Sequence, residues 1–236
     1  TGWEGGAVTH GVVVFLGPSC DHATARKVLD ADYRPPAKRG DITRAAEDGA
    51  RIIGLIDGVF FQDCAVAHRE VLAVLRAGVR VVGASSMGAL RAAELDSLGM
   101  EGVGEIYRAY REGRLVADDE VALLFDPEMF VPLSEPLVNI RATLQEALAS
   151  GVIGADAARA LLEAARALYF PDRAYDAIVE AAEGKADPED LARFLAFAGE
   201  HAVDQKREDA LMALEYIRDL ARGVEPAGST IPPRSP

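Results

Sequence analysis

The chain is short of the residues that build cross-linked, metal-bound or nucleic-acid-binding proteins. Its 236 residues contain two cysteines, Cys20 and Cys64, and four histidines. Two cysteines make neither a disulfide framework nor a zinc signature, and their scarcity points to a reducing, cytoplasmic setting. Aromatic residues are 6% of the chain while half of it is hydrophobic, so alanine, leucine and valine must build the core. No apolar run approaches the roughly 18 residues that cross a bilayer. The earliest one, Val12 to Leu16, is strand-sized and runs into Gly17-Pro18, unlike a signal peptide. The opening Thr1-Gly2-Trp3 is read as a processed or truncated start. Basic side chains are outnumbered 25 to 38, for a net charge of −13. That sign argues against a nucleic-acid groove and against an anionic membrane surface.

The acidity is uneven. Residues 1–100 hold 11 basic and 12 acidic side chains, and residues 101–236 hold 14 and 26. The later part therefore reads as a solvated acidic helix surface, or as a face for a basic protein partner. Three apolar strands precede helices in the first hundred residues: Gly11–Leu16, Arg51–Ile56 and Val79–Ala84. Continuous apolar strands alternating with helices predict an α/β fold with a parallel sheet covered on both faces. Sites in such sheets form beyond the carboxyl ends of the strands, here Pro18–Cys20, Asp57–Gly58 and Ser85–Met87. The segment Tyr33-Arg34-Pro35-Pro36 is extended because proline forbids helix, and Asp41 is expected to cap a helix through Asp48. After Gly99 a glycine-rich connection leads to helices near 105–113, 137–150, 155–168, 172–183, 188–201 and 205–222. The expected organisation is a flexible N-terminus over 1–10, an α/β core over 11–125, a mostly helical region over 126–222 and a disordered tail over 223–236.

The stretch Val79 to Leu95, VRVVGASSMGALRAAEL, carries the most chemistry. A β-branched strand breaks at two serines and enters an alanine-rich helix. Ser86 lies between Ala84 and Gly88, a small-x-Ser-x-small spacing like the serine-exposing elbow of acyl-transfer enzymes. The amides of Met87 and Gly88 would open the helix, where oxyanions are stabilised. The plain alternative is a βα turn in which Ser86 caps the helix. His68 is the histidine best placed to act as general base, oriented by Asp57 or Glu70. Arg91 and Glu94 either pair with each other at i, i+3 or hold a ligand near the elbow. Cys20 and Cys64 are further candidate nucleophiles, although the small buried hydrophobe is the preferred reading for both. Asp118, Asp119 and Glu120 read as a solvated acidic turn, with ligation of a hard cation such as magnesium as the alternative.

Taken in order, several of these stretches resemble the TfuA family. They are Gly17-Pro18-Ser19, Tyr33 to Pro36 with Arg39-Gly40-Asp41, Ile56-Asp57-Gly58, His68 with Glu70, Gly83 to Leu95, Gly99 to Gly104 and Asp118 to Val121. A weaker likeness falls at Asp204-Gln205-Lys206-Arg207. The resemblance implies a partner of YcaO enzymes, which activate a peptide backbone amide with ATP for conversion to a thioamide. It implies that this partner recruits or releases sulfur from a thiocarboxylated ThiS-like carrier protein, while YcaO binds the precursor peptide. The chain shows no nucleotide-binding motif, so no cofactor is expected. On this view Ser86, His68 and Asp57 are catalytic, and Ser85, Met87, Gly88, Arg91, Glu94, Arg39 and Ser19 surround the substrate. The alternatives are a non-catalytic adaptor that activates YcaO, and a stand-alone serine or cysteine hydrolase.

Overall fold

The β-branched runs near the start of the chain line up side by side in the computed structural model, which describes residues 11–60 and 64–224. The expected flexible N-terminus over 1–10 and the tail beyond Val224 lie outside the described residues. Strands β1 (Val12–Phe15), β2 (Asp32–Arg34), β3 (Ile52–Leu55), β4 (Arg80–Ala84) and β5 (Glu101–Val103) form one parallel sheet in the order β2-β1-β3-β4-β5. Val12 pairs with Ile52, Ile52 with Arg80, and Val82 with Glu101. Every residue of β1 and β3 is buried, as expected for strands covered on both faces. The sheet reverses its winding at β1 and β3, and a crevice for ligands forms at the carboxyl side of such a switch point.

A helix follows each strand: α1 (His22–Val28), α2 (Asp41–Glu47), α3 (His68–Arg76), α4 (Met87–Leu95) and α5 (Glu105–Arg111). Asp41 is not the cap expected of it. Gly40 holds that position in the left-handed region, and the helix amides find their acceptor elsewhere. Glu70 Oε1 takes the amides of Gly40, Ile42 and Thr43 at 3.0, 3.0 and 3.2 Å. A carboxylate 30 residues away thus does the work of a local cap, leaving Asp41 to accept from the Lys38 amide.

Then follow α6 (Leu137–Ala149), α7 (Ala155–Ala167), α8 (Tyr175–Ala182), α9 (Pro188–His201) and α10 (Gln205–Ala221). The chain divides into two compact units that differ from the boundaries read in the sequence. Residues up to Val116 join those from Lys206 onward, and Ala117–Gln205 form the second unit. The division follows from α10, whose buried Ala210, Ala213, Leu214, Ile217 and Leu220 pack with Val12, Val14, Val82 and Ala84 of the sheet. Those helix positions recur at three and four residues, which makes one apolar stripe.

The second unit has its own core, in which Leu137, Ile140, Leu144, Leu161, Ile178 and Phe194 are buried together. The acidic turn at 118–120 is a short 3-10 helix inside this unit. Asp119 pairs with the buried Arg173 at 2.6 Å, and Glu120 takes both arms of Arg141 at 2.8 and 2.7 Å. Among the described residues no helix is long and apolar enough to cross a membrane.

Candidate functional site

Three loops at the carboxyl ends of β1, β3 and β4 are tied together by one buried carboxylate and two serines. Asp57, at the end of β3, accepts the amides of Gly17 and Ser19 through Oδ2 at 2.8 and 3.0 Å. Its Oδ1 accepts from Ser19 Oγ at 2.6 Å. Three donors on one carboxylate fix the loop after β1. Ser85 Oγ stands 2.8 Å from Ser19 Oγ and 2.8 Å from the backbone carbonyl of Lys206, so its single proton is shared between two acceptors.

The elbow itself is strained and tightly packed. Ser85 has φ +63°, in the left-handed region that non-glycine residues rarely occupy. Such conformations cost about 1–3 kcal/mol and persist where surrounding contacts impose them. The small residues are needed for close approach. A side chain on Gly88 would overlap the Leu55 carbonyl, and one on Gly83 would overlap the Gly88 carbonyl. Gly88 donates to the Ile56 carbonyl at 3.3 Å, which spends one of the two amides expected to serve an oxyanion. The amide of Met87, the first residue of α4, remains at the helix start.

Ser86 stands at the N-cap position of α4, yet its side chain makes no capping bond. Its Oγ instead accepts from the amine of Lys206 at 3.1 Å. Both side chains are buried, at 4% and 2% exposure. Lys206 comes from the first turn of α10, and that turn is pinned from three sides. Ser85 holds the Lys206 carbonyl; Asp209, fully buried, accepts the amides of Glu105 and Ile106 at 3.0 and 2.7 Å. Arg207 reaches Asp21 at 3.4 Å. The Asp21 carboxyl is held below its ordinary value first by the Thr24 amide it accepts, with Arg207 adding to the effect.

The other expected residues gather elsewhere. His68, at the first position of α3, bonds Glu94 Oε2 through Nε2 at 2.7 Å. Arg91 donates to the same oxygen at 2.6 Å and to the Val66 carbonyl at 2.9 Å. His68, Arg91 and Glu94 are therefore one polar cluster joining α3 to α4, with the His68 side chain half exposed. The structure does not hydrogen-bond His68 to Ser86, nor Asp57 to His68, because the Asp57 oxygens are committed to the Gly17–Ser19 loop. Cys20 is buried in the sheet's core with its Sγ 3.6 Å from the Asp21 carbonyl. Cys64 is exposed, and its carbonyl accepts the Arg39 amide at 2.7 Å.

Lys206 is the residue that sequence reasoning passed over. The signal lies in helical spacing: Lys206 and Asp209 fall on the stripe continued by Ala210, Ala213, Leu214 and Ile217. Charged residues on an apolar stripe must find buried partners, and the partners here are Ser86 and the start of α5.

A protein-family model described as TfuA-like protein matches residues 57–174, half of the chain, starting at Asp57 and taking in the whole elbow. The match stops short of α10. No curated protein matches the chain.

Proposed function

From the premise that the chain belongs to the TfuA-like family, which is linked to thioamide formation, we propose that it supplies sulfur to a YcaO enzyme during peptide backbone thioamidation. The sulfur comes from a thiocarboxylated ThiS-like carrier protein, and the chemistry is acyl transfer at Ser86. A thiocarboxylate is an acyl group with sulfur as its leaving atom. Ser86 Oγ attacks the carbonyl carbon, and the tetrahedral intermediate collapses with cleavage of the carbon–sulfur bond. Sulfide departs, an ester joins Ser86 to the carrier, and water hydrolyses that ester to the carboxylate. Overall, one thiocarboxylate and one water yield one carboxylate and one hydrogen sulfide. The Met87 amide, at the positive end of α4, is the donor that would stabilise the oxyanion.

The observation that carries this reading is the unused capping role of Ser86. A serine at a helix start ordinarily satisfies the helix amides; this one turns its hydroxyl to a buried amine at the sheet's carboxyl edge. The test incubates the protein with thiocarboxylated carrier, with and without YcaO, while free sulfide and carrier mass are followed. Sulfide release with conversion of the carrier to carboxylate is expected, with a loss of about 100-fold or more in Ser86→Ala. An intact carrier under both conditions, with YcaO still requiring this protein, would instead mark a non-catalytic adaptor.

A further inference from the structure

Resting on Ser86 as the nucleophile, we propose that Lys206 is its general base, so that the catalytic unit is a serine–lysine dyad assembled from the two ends of the sheet unit. Four observations bear on it. The amine lies 3.1 Å from Ser86 Oγ, within reach for direct proton transfer. The lysine is 2% exposed, and withdrawing an ammonium from water disfavours its charged form. The side chain is held in place at both ends, by Ser86 at its tip and by Ser85 Oγ at its own carbonyl. Asp209, one helical turn on, anchors the same stretch of α10 to the amides of Glu105 and Ile106.

His68, the alternative base, is hydrogen-bonded to Glu94, whose same oxygen also takes Arg91. Serine–lysine pairs replace serine–histidine–aspartate triads on unrelated folds, so the geometry needs no third member. Ser85 and Asp209 are then positioning residues: neither touches the reacting atoms, and both fix where the amine sits.

The proton accounting closes without any outside reagent. The neutral Lys206 amine takes the Ser86 proton as Oγ bonds to the acyl carbon. The resulting ammonium returns that proton to the departing sulfur as the carbon–sulfur bond breaks. In the second half the amine takes a proton from water as its oxygen attacks the ester, and gives it to Ser86 Oγ as the ester opens.

A fluorophosphonate probe tests the dyad without any sulfur carrier, because it reacts only with an activated serine. The full chain is labelled and the modified residue located by mass spectrometry. Ser86 is expected to label in the wild type and to label at least about 100-fold more slowly in Lys206→Met and Lys206→Arg. Arginine keeps a donor for the Ser86 hydrogen bond but cannot act as a base near neutral pH, and circular dichroism of both variants reports whether they fold. Adding propylamine to Lys206→Ala should restore labelling, whereas propanol, of similar shape without a basic nitrogen, should not. Folded Lys206→Arg that labels at the wild-type rate would overturn the proposal, and so would a wild type whose Ser86 never labels. Lysine-dependent labelling in a protein that releases no sulfide from the carrier would leave the dyad standing and remove the sulfur reading instead.

Discussion

A methyl group on Gly88 would overlap the Leu55 carbonyl oxygen, and no flexible side chain stands there to move aside. Gly88→Ala must push α4 off β3, and is expected to destabilise the protein by about 3 kcal/mol or more. The urea midpoint measures it; an unchanged midpoint would mean that the elbow is looser than its packing indicates. This requirement was legible in the sequence, because small residues around a serine between a strand and a helix have few other causes. The strain falls on Ser85 rather than on a glycine, and the spacing of small residues does not place it there. Lys206 was not legible as a partner of Ser86. Pairing across 120 positions depends on where a distant helix lands, and local patterning carries no such information.

At the scale of elements, the three long apolar strands and most helices were plain from periodicity, whereas β2 and β5 were not. Each has three residues, too few to show alternation, and β5 contains a glycine that reads as a loop. The cap of α2 was misassigned to Asp41 for a related reason: the real acceptor, Glu70, sits on another helix. The cap of α1, by contrast, is local. Asp21 accepts the Thr24 amide at 2.7 Å, and Asp21→Ala should cost about 1 kcal/mol at neutral pH. The sign with pH follows from the lowered Asp21 carboxyl, whose ordinary value is 3.8. The contribution is present above that value and fades as the pH falls through the lower, folded-state value. Thermal melts of both proteins should therefore differ at pH 7 and converge in strong acid; a gap that persists unchanged at low pH would rule out the charged cap as its source.

Across the whole molecule, the sheet unit is closed by α10, which covers Val12, Val14 and Val82. A protein ending at Gln205 is expected to expose that face, bind hydrophobic dyes and aggregate. The excised segment 117–205 should keep its helical signal, because its buried cluster lies entirely within it. A truncated chain that stays monomeric and melts cooperatively would show that other residues shield the sheet. The same return of the chain governs when Lys206 meets Ser86. A ribosome adding about 5–20 residues per second delivers Ser86 roughly 6–24 s before Lys206, the two being 120 positions apart. On the proposed mechanism, a nascent chain would hold Ser86 without its base throughout that interval, so sulfur release would wait for α10 to fold onto the sheet.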